Sequence, residues 1–346
     1  MRSRSVGNIA VAVTGRRLII LLVFSTISRT AFAQDLARAA IEARLDHLQN
    51  IAVSYNMRVD CNFDPKLTIP VQTFPGYQSK FTLDSSCIFN FLDGGARQET
   101  RPSQATKAYW TLQKLPVVEK YIETRSLSGR DEQLSENLHP PAPPEYVGGI
   151  AEGIDISNDW TVDLALGLRL GREQHFLKKE DIEAAHEMPS TDPNIVVLQI
   201  DGNDAVGTVH EMHFDKRLFY ALVYSRDTNS SSRSYSEIVN SGFHTIDGVA
   251  LPYKIVRQTH YVDRSNKPRV PFAWSVDILN YVLNDPKNVA ANFLITWPAD
   301  IRIFDDRIGA ELRIGKTARV LSDDDIRQQI KDRREGKEVE EDINRD

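Results

Sequence analysis

The chain has 346 residues, 41% of them hydrophobic and 26% charged, with 18 Gly, 16 Pro and two Cys. Such a composition belongs to a globular protein and excludes a collagen-like, wholly disordered or disulfide-framework chain. A formal charge of −6 argues against a nucleic-acid partner, which would call for a basic excess.

Residues 1–33 carry Arg2, Arg4, Arg16, Arg17 and Arg29 and no acid. An apolar run from Leu18 to Ile27 follows, and Ala31-Phe32-Ala33 then precedes Gln34. A basic start, a short apolar run and an A-x-A site read as an export signal cleaved between Ala33 and Gln34. The run falls well short of the ~20 apolar residues of a membrane span, and no later stretch supplies one. Losing five arginines and no acid takes the formal charge from −6 to −11. No cysteine follows the signal directly, so the reading is of a soluble protein, periplasmic or otherwise exported, without a lipid anchor.

Export also gives the cysteines a meaning, because disulfides persist in oxidising compartments. Cys61 ends one strand pattern and Cys87 begins the next, so a Cys61–Cys87 bridge is expected across an antiparallel pair. Such a bridge would contribute roughly 3.5 kcal/mol in the chain-entropy picture.

Ala37, Ile41, Leu45 and Leu48 recur at helical spacing, so 35–48 reads as an amphipathic helix. The period then switches to two. Ile51, Val53, Tyr55, Met57 and Val59 alternate with Ala52, Ser54, Asn56, Arg58 and Asp60, the pattern of a half-buried strand. Residues 62–80 read as a long loop. A second strand starts at Cys87, to be stopped or bulged at Gly94-Gly95 and continued to Arg101, and two more are expected between Trp110 and Arg125. The Pro-rich stretch 139–144 must be extended, Asp159 caps an expected helix over 160–170, and 179–187 reads as another short helix. From Ile195 onward six strands separated by short polar turns predict an antiparallel meander: 195–200, 206–214, 218–225, 234–241, 251–262 and 272–283. The tail from Ser322 to Asp346 holds ten acids and six bases. Its Ser322-x-x-Asp325 box predicts a helix to about Glu335, with disorder beyond Gly336.

No catalytic motif and no cofactor site emerges, and the chain does not read as an enzyme. His210-Glu211-Met212-His213 lacks the i, i+4 spacing of a zinc helix, and in a strand its two rings point to opposite faces. Asp285 with Asp300, or Asp305 with Asp306, are ordinary pairings in an acidic chain.

The most specific stretch runs from Phe293 to Arg307. Phe293, Ile295 and Trp297 alternate, Pro298 interrupts, and Ile301 and Ile303 resume before Asp305 and Arg307. This resembles the closing strand of the outer-membrane lipoprotein-sorting family, of LolA/LolB-like fold. The export signal, the opening helix and strand, and Gly248-x-x-Leu251-Pro252 are similar to that family as well. The resemblance implies an α+β fold, a strongly curved antiparallel β-sheet forming an unclosed half-barrel, with helices covering the concave face. It divides the chain into a signal (1–33), one domain (34–321) with an insertion at about 126–194, and a charged tail (322–346). It further implies a lipid or lipidated protein as partner, held in a hydrophobic pocket in the manner of a lipoprotein carrier. Candidate lining residues are Val53, Tyr55, Met57, Phe89, Phe91, Trp110 and Trp274. Arg58 and Arg97 are candidates for the functional basic residue of the carriers. An interaction or signalling module of the same fold is the alternative. Terminal sequencing of the exported protein is expected to begin at Gln34, and an intact Met1 would refute cleavage.

Overall fold

Every second side chain of the first strand is buried, from Ile51 through Cys61, while Asn56, Arg58 and Asp60 face out. The computed structural model describes residues 35–48, 50–63, 80–90, 95–112, 117–126, 131–138, 145–151, 165–167, 169–170, 175–177, 179–202, 207–229, 234–262, 268–285 and 294–335. The signal, the long loop after Phe63, the Pro-rich stretch and the tail beyond 335 lie outside these residues.

Helix α1 (35–48) leads into β1 (Ala52–Phe63), β2 (Lys80–Asn90) and β3 (Gly95–Pro102). Then come α2 (Gln104–Leu112), β4 (Val117–Ser126), β5 (Asp131–Leu138) and β6 (Glu145–Ala151). A two-residue pair, β7 (Arg169–Leu170) and β8 (His175–Phe176), precedes α3 (Lys179–Ala184). The meander follows as β9 (His186–Met188), β10 (Ile195–Asp201), β11 (Thr208–Asp215), β12 (Ala221–Asn229) and β13 (Tyr235–Ser241). A small hairpin, β14 (His244–Ile246) and β15 (Val249–Leu251), stands apart before β16 (Lys254–Val262) and β17 (Pro268–Leu283). The chain ends in β18 (Arg302–Asp305), β19 (Ala310–Arg313) and α4 (Asp323–Arg334).

Fifteen of these strands form one unclosed sheet, in the order β19-β18-β6-β5-β4-β3-β2-β1-β17-β16-β13-β12-β11-β10-β9. Two meanders meet at the β1–β17 ladder, which runs from Val53↔Leu283 to Phe63↔Phe272. The sheet is mixed rather than wholly antiparallel, because β18 joins β6 in parallel. That parallel pair brings the C-terminal segment to the edge of the N-terminal meander.

The register shows that the two meanders bury opposite faces. Around β1 and β10–β17 the buried face carries Val53, Met57, Leu198, Phe214 and Val276, packed under Ile41, Leu45 and Leu48 of α1 and Ile182 of α3. In β4–β6 the buried residues are Ile122, Leu134 and Ile150, which pack with Ile295, Trp297, Ile303 and, from α4, Ile326. Ile122 lies opposite Glu99, Glu99 opposite Ser86, and Ser86 opposite the exposed Asn56. Paired residues share a face, so this second core lies on the far face from α1. Helices therefore do not jointly roof one face: α1 and α3 serve one core, and α4 the other. Where the buried face changes, polar side chains satisfy one another, with Ser85 Oγ 2.9 Å from Thr100 Oγ1 and Gln98 Nε2 donating to the same oxygen at 3.1 Å.

Several local expectations change. Of the stop and the bulge expected at Gly94-Gly95, the stop is the one that fits: β2 ends at Asn90, and β3, from Gly95, pairs with it antiparallel. Trp110 sits in α2 rather than a strand; Ser103 opens that helix, its Oγ accepting from Thr106 N at 3.3 Å. Leu170 belongs to β7, not to a helix, and β5 and β6 of the 126–194 stretch are full members of the sheet. Leu218 ends a 3₁₀ turn: Asp215 accepts from Arg217 N, and Phe219 and Tyr220 take positive φ before β12 begins. Pro252 lacks an amide hydrogen and splits 251–262 into β15 and β16. The capping box forms as read, Asp325 N donating to Ser322 Oγ at 3.1 Å and Ser322 N to Asp325 Oδ2 at 2.8 Å.

Both open edges are protected. Gln329 of α4 accepts from Arg313 N at 3.0 Å and donates to Arg313 O at 3.2 Å, standing in for a further strand beside β19. At the other edge β9 is only three residues long. Met57 has no exposed surface, so Met57→Ala is expected to cost about 2–5 kcal/mol in urea unfolding. A cost below about 1 kcal/mol would show that Met57 borders free space.

Candidate functional site

The structure divides the expected pocket residues. Val53, Tyr55, Met57 and Trp274 belong to the core under α1, with Val53 and Met57 at 0% exposure. Phe89 pairs with Val53 on β2 and Trp110 lies in α2, while Phe91 is outside the described residues. No bond joins Cys61 and Cys87, correcting the expected bridge. Both are buried thiols, but Cys61 pairs with Phe81 whereas Cys87 pairs with Tyr55, six residues away along β1. At about 3.3 Å per strand residue, that offset is far beyond the reach of a disulfide. Burial pushes the Cys61 thiol well above its ordinary range, so it is no ready nucleophile.

Arg58 and Arg97 also have structural partners. Arg58 is 53% exposed and donates to Asp84 at 3.0 Å. The ladders place Lys254, Asp277, Arg58, Asp84 and Arg101 side by side across five strands, so charges alternate in sign along the row. Arg97 donates to Leu294 O at 2.9 Å and ties the segment before Trp297 to β3. Beside it, the fully buried Glu132 accepts from Ile295 N at 2.7 Å. The motif's Asp305 and Arg307 form a two-bond pair at 3.0 and 2.8 Å, and hydrogen bonding to Asp305 raises the Arg307 pKa. His210 and His213 do go to opposite faces, His210 to Asp227 at 2.7 Å and His213 to Glu211 at 2.6 Å.

A cavity of about 590 Å³ opens on the far face from α1, between β16, β17 and β1 and the start of α2. Asp60, Asn62, Thr82, Gln258 and Ser275 surround it, with Val256, Ala273 and Ala105 as its apolar part. Cys61 and Trp274 also border it, although their side chains go to the core on the other face. The depression has a simple origin. Ala273 and Ser275 are the side chains that β17 presents here, and both are short. The N-terminal residues Ser103 and Thr106 of α2 form the wall, held by Thr106 Oγ1 donating to Thr82 O at 3.1 Å. Thr82 Oγ1 in turn donates to Asp60 Oδ1 at 2.7 Å.

Next to the cavity on the same face lies a polar cluster. Glu237, paired with Gln258, accepts from Tyr224 Oη at 3.2 Å through one oxygen and meets His260 Nε2 at 2.7 Å through the other. His260 stacks on Tyr235, with centroids 4.3 Å apart. Burial, followed by the Glu237 charge, pushes the Tyr224 phenol up to about 12. Sequence reasoning missed this face because polar alternate residues of a strand read as solvated surface. Two short side chains at alternate positions, Ala273 and Ser275, were the available signal.

No family model and no curated protein matches the chain. Among solved structures, it is similar to a LolA superfamily protein from Nitrosomonas europaea. That likeness is at 10% identity and a TM-score of 0.41, covering 74% of this chain and 97% of that one. It is also similar to a DUF1329 family protein from Desulfovibrio piger, at 11% identity and a TM-score of 0.44, covering 75% and 96%. Among the described residues, no helix is long and apolar enough to cross a membrane.

With both thiols buried and apart, the folded protein is expected to react negligibly with a thiol reagent and to release two thiols on unfolding. An unchanged melting temperature with reductant would agree. Detection of a disulfide-linked peptide pair would overturn the assignment.

Proposed function

We propose that the protein is an exported, non-catalytic binding protein for a lipid or a lipidated protein, and that the polar end of the ligand enters the far-face cavity. The cavity carries this reading. Its volume, about 590 Å³, falls within the ~300–1,000 Å³ usual for small-molecule sites. Its hydroxyls and amides offer both donors and acceptors for ester, amide or headgroup oxygens, and Val256, Ala273 and Ala105 offer apolar contact. The resemblance of Phe293–Arg307 to the lipoprotein-sorting family supports the ligand class.

A second reading, an interaction module that binds a partner's peptide without its lipid, is favoured by the closed packing around Val53, Tyr55 and Met57. One experiment separates the two. Delipidated full-length protein is mixed with a fluorescent diacylated peptide and, in parallel, with the same peptide unacylated. Stoichiometric uptake of the acylated form alone, abolished by Ala273→Trp, is the expected result. Equal binding of both forms would establish the module instead. No uptake by folded protein, or uptake indifferent to Ala273→Trp, would sink the cavity reading.

A further inference from the structure

Arg226 stands out among the basic residues of the far face. Its guanidinium lies over the Tyr235 ring, 4.0 Å from the centroid. Among the described residues it makes no ion pair, and its Nε is buried without a hydrogen-bond partner. The register places Arg226 between Glu211 and Glu237, yet both carboxylates are engaged elsewhere. Glu211 is bound to His213, and the two oxygens of Glu237 are taken by His260 and Tyr224. An arginine stacked on an aromatic ring, with its planar fork unused, is an oriented receptor for an oxyanion. The stacking already restricts the long side chain, which lowers the entropic cost of binding.

Arg226 also belongs to the row that crosses the sheet through Glu237, Gln258 and Ala273, and the last two line the cavity. Two strand spacings separate Arg226 from Gln258, about 10 Å. That is within the reach of a single polar headgroup that starts in the cavity and extends along the row.

We infer that Arg226 on its Tyr235 platform is the binding site for a phosphate group of the ligand. The inference rests on the cavity reading for its ligand class. One positive charge without an ion pair among the described residues, flanked by Glu211 held to His213 and Glu237 held at both oxygens, suits a singly charged phosphodiester better than a dianion. A phospholipid headgroup and free phosphate share this chemistry, and separate arms distinguish them.

The full-length protein is titrated calorimetrically with inorganic phosphate and, separately, with short-chain dihexanoyl phosphatidylglycerol below its micellar concentration. Tighter binding of the headgroup than of free phosphate, weakened tenfold or more by Arg226→Gln, is the expected outcome. Arg226→Lys should recover only part of the loss, because an ammonium lacks the fork, and Tyr235→Leu should weaken binding with the arginine intact. Melting temperatures of the variants are measured alongside to establish that each is folded. Free phosphate bound as tightly as the headgroup would overturn the lipid source. Affinities that Arg226→Gln leaves unchanged, or no phosphate binding in either arm, would overturn the site. The two readings fail separately. If acylated peptide is not taken up but phosphate binding still depends on Arg226, the cavity reading falls and the site stands. If uptake occurs and Arg226→Gln changes neither arm, the reverse holds.

Discussion

The ladder between β1 and β17 is the constraint on which the rest of the structure depends. It joins two meanders distant in sequence, and the strict alternation of β1 fixes which face each neighbour must bury. A slip of one residue would send Val53, Tyr55, Met57 and Val59 to the far face and Arg58 and Asp60 under α1. Neither arrangement of burial is tolerable, so the register is strongly specified. The alternating row of Lys254, Asp277, Arg58, Asp84 and Arg101 reinforces the same register from the outside. Arg58 is accordingly a register residue in this structure.

A sheet that buries one face on one side and the other face on the other leaves different faces covered along its length. Around β1, β16 and β17 the α1 face is filled by the core, while the far face carries Asp60, Gln258 and Ser275. There, short side chains on β17 and the start of α2 leave a hollow, and the Tyr224–Glu237–His260 cluster lies beside it. In β4–β6 the C-terminal segment occupies that same far face with Trp297, Ile303 and α4. The motif that resembles the lipoprotein-sorting family thus contributes a core, with Asp305 and Arg307 holding its turn, rather than the cavity wall.

Much of the secondary structure was legible. The opening helix and strand, the late meander and the Ser322–Asp325 box all follow from local periodicity or capping chemistry. Errors arose where one residue overrode the pattern. Pro252 cut a strand, Asp215 held Arg217 in a turn, and Ser103 opened a helix that carries Trp110, where a strand was expected. The site was scarcely legible. Seen as a sequence, Asp60, Thr82, Gln258 and Ser275 are four unremarkable polar residues on four strands, and only the ladders bring them together.

Composition and local spacing by themselves determined an acidic globular chain with a β-rich body and half-buried strands, because alternation and capping are written in neighbouring residues. Only the tertiary structure decided that the buried face switches between the meanders, that Cys61 and Cys87 stand six residues out of register, and that Arg226 lies over the Tyr235 ring with no ion pair among the described residues. Strand order and cross-strand register fix these features, and both arise from pairings between residues far apart in the chain.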